Sequence, residues 1–230
     1  MANQIYLWHH LEMGDNLLCN AIVREYSNHF SKVHLLCIKR NAPAIQFMYR
    51  DLNNITYGIA EKEGQISNFF RNLEPRPNTF KKHITSGPVR LDARNFDELF
   101  YINAGIPFEK RWSGFYVQRD LNREEELFNR LGLQDNQYVF VHDDSRRGFH
   151  ILENYIVDKL VVRPDPRWTN NIFDYISILE RASEIHCIDS SFAILVDQMN
   201  IQNNLFFHNY ARKDSLWDHP KYKGVWRVYD

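Results

Sequence analysis

The first candidate for chemistry is an aspartate that follows a short apolar strand near the start of the chain. The segment IYLWHHLEMGDNLLCNAIVREY predicts a strand over Ile5 to Trp8, a tight turn at Gly14 and a helix from about Asp15 to Tyr26. A carboxylate at the end of a strand can take the proton of a substrate hydroxyl as a general base. Asp15 also stands where a helix N-cap or first-turn acid is expected, so a purely structural role is the alternative.

Two histidines precede this turn and could assist a base or ligate a metal. His9 and His10 are adjacent, and adjacent residues of a strand point to opposite faces. Only one of them can therefore serve a given site. His10 lies nearer the turn and is the better catalytic candidate.

A second set of residues has the chemistry to hold a diphosphate. After the predicted strand Tyr138 to His142 the chain reads DDSRRGFHI, and guanidinium groups match phosphate oxygens. A helix is predicted to begin at Ser190 or Ser191, where backbone N–H groups and the helix dipole also favour an anion. The donor-binding candidates are Ser145, Arg146, Arg147, Arg163, Asp189, Ser190 and Ser191.

The elements that must position these residues alternate strand and helix. Further strands are predicted over 33–38, 55–59, 160–162, 185–188 and 205–207, helices over 42–49, 95–103, 172–182 and 191–199, and a loop over 73–90. Asn122 is expected to cap another helix, which ends at Gly132. Because helical crossovers cover both faces of a parallel sheet, we predict an α/β fold with two small Rossmann-like lobes that face a cleft. Residues 1–115 form the acceptor-side lobe and residues 116–230 the nucleotide-sugar lobe.

Bulk composition excludes several classes of protein. The formal net charge is −1, from 28 basic and 29 acidic residues, so no overall field attracts nucleic acid or an anionic membrane. No apolar run approaches the roughly 20 residues of a membrane span and no signal peptide opens the chain, so we expect a cytoplasmic protein. The three cysteines form no CxxC motif and are expected to pack in the core.

Two of the motifs resemble those of a known family. Met13-Gly14-Asp15 after the first strand is similar to the opening of the heptosyltransferase-like glycosyltransferases (glycosyltransferase family 9). Ile185-His-Cys-Ile-Asp-Ser-Ser191 resembles the strand–Asp–Ser/Thr turn of their donor-binding lobe. The resemblance implies the GT-B architecture and an inverting enzyme in which Asp15 is the general base. The chain departs from the pattern at Ser191, where the family has glycine, and in lacking the histidine that follows.

These features predict an inverting transferase of hexosyl or deoxyhexosyl type. We expect it to move a sugar from a nucleotide-sugar donor to a hydroxyl of a glycan or glycoconjugate acceptor, without a cofactor or a divalent metal. One alternative is a metal-dependent transferase of GT-A type, in which Asp143 and Asp144 hold a divalent ion. Another is a non-catalytic module that binds a glycan or a nucleotide. No G-x-G-x-x-G motif follows the first strand, which disfavours other Rossmann enzymes such as methyltransferases.

Overall fold

The chain folds as two α/β units. The computed structural model describes residues 3–74, 76–85, 96–156, 159–212 and 221–230. Its two compact units are Met1–Gln118 and Arg119–Asp230. Each unit has its own β-sheet, and every strand pair among the described residues is parallel. The fold class is therefore α/β, as predicted.

The sheet of the first unit has the strand order β3-β2-β1-β4. Its central strands are apolar because helices cover them, and Leu7 and Leu35 lie side by side with no exposed surface. The strands are β1 (Gln4–Trp8), β2 (Lys32–Ile38), β3 (Ile55–Ala60) and β4 (Thr79–His83).

One strand of this sheet lies where the sequence predicts a loop. The segment TFKKH forms β4 and pairs with β1 from Gln4↔Thr79 to Trp8↔His83. As an edge strand it exposes Phe80, so it shows no apolar run to mark it. The loop prediction is wrong over β4, and its residues 75 and 86–90 lie outside the described residues.

Helices join the strands of the first unit. The single helix predicted from Asp15 to Tyr26 is wrong, because the chain forms two helices that meet at Cys19, where φ is −86° and ψ is 2°. The helices are α1 (Met13–Leu18), α2 (Asn20–His29), α3 (Ala42–Met48), α4 (Glu63–Asn72), α5 (Phe96–Ala104) and α6 (Lys110–Ser113).

Two buried polar contacts fix α5 in the first unit. The Tyr101 hydroxyl donates to the Leu18 carbonyl oxygen at 2.8 Å, which ties α5 to the end of α1. Arg111 of α6 forms an ion pair with Asp97 of α5, and neither side chain is exposed. A buried pair of this kind is costly to break, because one removed partner leaves the other charge in the core.

The sheet of the second unit has the order β6-β5-β7-β8-β9. The strands are β5 (Tyr138–His142), β6 (Leu160–Val162), β7 (Glu184–Cys187), β8 (Asn204–His208) and β9 (Trp226–Tyr229). Between β5 and β6 the described chain forms only short 3₁₀ turns, Ser145–Arg147 and Glu153–Tyr155. The carboxyl end of β5 is therefore followed by an irregular loop.

The remaining helices of this unit are α7 (Leu121–Arg130), α8 (Ile176–Arg181) and α9 (Ser191–Gln198). The N-cap of α7 is Asp120, whose carboxylate accepts from the Arg123 backbone N–H at 3.2 Å. The prediction of Asn122 as the cap is wrong, because Asn122 already lies inside the helix. Gly132 follows the helix with φ 64°, a left-handed conformation that favours glycine.

None of the helices formed by the described residues combines the length and the apolar character that crossing a membrane requires.

Candidate active site

Asp15 lies just beyond the carboxyl end of β1, in the first turn of α1. The N-cap of this helix is Glu12, so the prediction that Asp15 could itself be the cap is wrong. The turn predicted at Gly14 is also wrong: Gly14 is already helical and is not among the residues with positive φ. The helix begins earlier because the backbone is extended only up to Glu12, at φ −70° and ψ 157°. A carboxylate in the first helical turn faces the positive end of the dipole, which stabilises its charged form.

The two adjacent histidines have different environments. His9 is fully buried, and its Nδ1 lies 2.6 Å from the His10 carbonyl oxygen. Burial lowers the pKa of His9 to about 4, so this ring is neutral at pH 7. His10 is exposed, with its ring centroid 5.4 Å from that of Phe100. Partial burial lowers the pKa of His10, and the charge of Glu63 opposes this effect.

A further histidine reaches this edge of the sheet from β4. His83 pairs in register with Trp8, and the two rings stack with centroids 3.9 Å apart and planes 7° apart. Burial lowers the pKa of His83, and the charge of His10 lowers it further. Sequence reasoning placed His83 in a loop and missed this contact, since only the pairing of β4 with β1 brings it there.

An ion pair and a hydrogen bond connect two loops on this edge. Arg40 pairs with Glu12, so the loop after β2 contacts the residue that precedes α1. Asn41 Nδ2 donates to the Leu11 carbonyl oxygen at 2.7 Å. The loop that leads to Asp15 is therefore fixed by its neighbour in the sheet.

In the second unit, strand pairing brings two predicted donor-binding segments together. β5 and β7 are adjacent, with His142 opposite Cys187, and the Ile188 N–H donates to the His142 carbonyl oxygen at 3.2 Å. Because the carboxyl ends of parallel strands meet at one edge, the loop after β5 and the turn before α9 are neighbours. The His142 ring lies 4.7 Å from that of Phe192, the second residue of α9.

Within the loop after β5, an aspartate binds one of the two arginines. Asp144 accepts from the backbone N–H of Arg147 at 3.3 Å and from its Nε at 2.5 Å. Gly148 then turns the chain with φ 80°. Ser145 and Arg146 are exposed, and Arg146 makes no hydrogen bond with any described residue. Of the two predicted phosphate ligands, Arg146 is thus the one whose guanidinium is available.

The acidic pair of the metal-dependent alternative is engaged with arginines. Arg163, which follows β6, lies 3.7 Å from the Asp143 carboxylate, and the Ile151 N–H donates to the same oxygen at 3.4 Å. Asp144 holds Arg147. Within the part of the chain that is described, no three His, Cys, Asp or Glu side chains are grouped so that they could hold a metal ion.

The turn before α9 has the form of a capped helix N-terminus. Ser190 is the N-cap, and its hydroxyl accepts from the Ala193 N–H at 3.4 Å, while Ser191 is the first helical residue. Arg212 donates to the Asp189 carbonyl oxygen, and its guanidinium lies 3.6 Å from the Asp189 carboxylate. Arg212 is not among the site residues predicted from the sequence. The only sequence feature that could have indicated it is its position after the predicted strand 205–207.

Comparison with known proteins gives a likeness of fold. No model of a protein family matches the chain, and no curated protein matches it. Three of the solved structures that match are described next. A glycosyl transferase family 9 protein from Veillonella parvula is 10% identical, with TM-score 0.57 over 99% of this chain and 86% of that chain. The ADP-heptose LPS heptosyltransferase II of E. coli is 8% identical, with TM-score 0.52 over 99% and 90%. The iron-containing dodecameric glycosyltransferase TibC of E. coli is 9% identical, with TM-score 0.53 over 90% and 58%. The chain therefore shares the fold of these glycosyltransferase structures, which confirms the predicted α/β fold class and the resemblance at the level of fold.

Proposed function

We propose that this protein is an inverting glycosyltransferase that moves a sugar from a nucleotide-sugar donor to a hydroxyl of a glycan. In this scheme Asp15 takes the proton of the acceptor hydroxyl. The observation that carries the proposal is the family 9 type of fold together with a carboxylate just after β1, in the first turn of α1. His10 is a second polar group, in the loop between β1 and α1, and is proposed to assist Asp15.

The proposed donor site is the carboxyl edge of the second sheet. A departing diphosphate needs positive charge and N–H donors, since stabilising the leaving group is a large part of the catalysis. Arg146 and Arg163 can supply guanidinium groups, and the capped N-terminus of α9 can supply backbone N–H groups. Ser145 is exposed next to Arg146 in the chain and can hydrogen-bond a phosphate oxygen.

Binding is tested with a thermal-shift panel of nucleoside diphosphates and nucleotide sugars. A ligand at about 100 times its Kd stabilises the protein by about 2.7 kcal/mol. We expect at least one diphosphate to raise Tm, and Arg146→Ala to reduce that shift. If no member of the panel shifts Tm, the proposed donor site is wrong.

Catalysis is tested with Asp15→Asn once a donor has been found. Loss of a general base should slow transfer by about 10²- to 10⁴-fold while donor binding changes little. Glu98→Gln is the matched control, because Glu98 is also an acid in the first turn of a helix, α5, and has no proposed role in transfer. Equal activity of Asp15→Asn and wild type would exclude Asp15 as the base. Loss of turnover with EDTA, reversed by Mn²⁺, would favour the alternative in which Asp143 and Asp144 hold a metal.

A further inference from the structure

A chain of hydrogen bonds crosses the buried face of β7 and β8 in the second unit. His186 Nε2 lies 3.2 Å from the Glu184 carboxylate, and His186 Nδ1 lies 2.9 Å from His208 Nε2. His208 Nδ1 is 3.1 Å from the Tyr210 hydroxyl, which accepts from the Leu152 N–H at 2.9 Å. Neither histidine is more than 1% exposed.

Chemistry fixes the direction of every hydrogen bond in this chain. A carboxylate only accepts, so His186 Nε2 bears the proton given to Glu184, and its Nδ1 must accept. His208 therefore donates from Nε2 and accepts at Nδ1 from the Tyr210 hydroxyl. Burial lowers the pKa of both histidines, that of His208 to about 4, so each ring is neutral and has one donor and one acceptor. The chain thus holds the Tyr210 hydroxyl in a single orientation.

The turn that contains Tyr210 contacts two other loops at the edge proposed to bind the donor. Tyr210 and Arg212 belong to the same 3₁₀ turn, Asn209–Arg212, which follows β8. Arg212 holds Asp189, the residue before the N-cap of α9. The Tyr210 hydroxyl accepts from the N–H of Leu152, which lies in the segment between the Ser145–Arg147 turn and β6. The Arg212 guanidinium also lies 5.8 Å from the centroid of the Phe149 ring in that segment.

We propose that Tyr210 is a positioning residue of the donor site. Its hydroxyl, oriented by His208 and His186, sets the turn from which Arg212 holds Asp189, and so places the N-terminus of α9 relative to the loop after β5. Tyr210 itself need not touch the donor. The inference rests on the proposed function for the identity of the ligand, but the loop placement can be measured without one.

The placement is tested by NMR on the free protein with Tyr210→Phe, which removes only the hydroxyl. We expect the backbone amide resonances of Leu152, Asp189 and Ser190 to shift, and the ¹⁵N resonance of His208 Nδ1 to change as it loses its hydrogen bond. Tyr155→Phe is the matched control, because the Tyr155 ring packs 5.7 Å from that of Tyr210 and its hydroxyl has no hydrogen bond with a described residue. A purely packing role would give the two variants similar spectra.

The consequence for binding is tested by calorimetry with ADP, UDP and GDP. For whichever diphosphate binds wild type, we expect Tyr210→Phe to weaken binding by about tenfold, or about 1.4 kcal/mol, and Tyr155→Phe to leave it unchanged. Unchanged amide shifts, or equal affinities in the two variants, would overturn the inference. Failure of wild type to bind any of the three would count against the proposed function instead, and the amide shifts would still decide whether Tyr210 places the loops.

Discussion

Replacing His9 by asparagine should change how the stability of the protein depends on pH. His9 has no exposed surface, and its Nδ1 contacts the His10 carbonyl oxygen, so Nδ1 bears the proton. Its Nε2 has no hydrogen-bond partner among the described residues. An asparagine amide can replace the Nδ1–H donor but does not titrate. The variant therefore removes the titration of His9 and keeps its local hydrogen bond.

The magnitude follows from the difference between the folded and unfolded pKa. Burial lowers the pKa of His9 from 6.5 to about 4, so between these values only the unfolded chain binds the proton. The free energy of unfolding is thus unaffected by His9 above pH 6.5 and falls as the pH drops toward 4. At pH 5 the loss is about 2 kcal/mol, and at lower pH it approaches about 3 kcal/mol.

Urea denaturation at pH 7.5 and pH 5.0 measures this loss. We expect wild type to lose about 2 kcal/mol more than His9→Asn between the two pH values. Comparing losses within each protein cancels any packing cost of the substitution. His29→Asn is the control, since 68% of the His29 side chain meets solvent in the folded state, and it should lose as much as wild type. Equal losses in wild type and His9→Asn would refute the assignment of His9 as a buried neutral base.

Two further predictions concern the core. Arg111→Met should lower the free energy of unfolding by about 3–5 kcal/mol, because it leaves the buried Asp97 carboxylate without its guanidinium partner. Adding Asp97→Leu should recover most of this loss, and urea denaturation measures both changes. The three cysteines are buried and burial raises the pKa of their thiols, so a chromogenic disulfide reagent should label none of them quickly in the native protein and all three after denaturation.

The strands that the sequence predicts well are those that carry a run of mostly apolar or β-branched residues. The run YVFVH predicts β5 with the bounds that the structure has, because every residue up to Val141 is buried and therefore apolar. Of the four edge strands of the two described sheets, β3 and β6 contain such runs and were predicted, whereas β4 and β9 were not. Both β4 and β9 expose large or charged side chains, so TFKKH and WRVY contain no uniform apolar run.

For the site, the sequence places a residue correctly when its position depends on the order of neighbouring elements along the chain. It fails when the position depends on which strands or loops contact one another. Asp15 could be placed near the end of the first strand, although the helix begins two residues earlier than predicted, at Met13. His83 and Arg212 could not be found in this way. The first reaches its place through the pairing of β4 with β1, and the second through a turn after β8 that contacts Asp189.

The ion pairs along the proposed donor edge also change which arginines are the best candidates for phosphate. The Asp144 carboxylate accepts from Arg147 Nε at 2.5 Å and from the Arg147 backbone N–H at 3.3 Å, so moving Arg147 would disrupt the turn that these contacts close. Arg163 lies 3.7 Å from the Asp143 carboxylate and is 45% exposed, and a contact of this length at an exposed side chain contributes at most about 1 kcal/mol. Arg212 differs, because it also donates to the Asp189 carbonyl oxygen. A diphosphate that carries more charge than one carboxylate can compete for the Arg163 guanidinium at little cost. Donor affinity should therefore depend on Arg146 and Arg163 more than on Arg147.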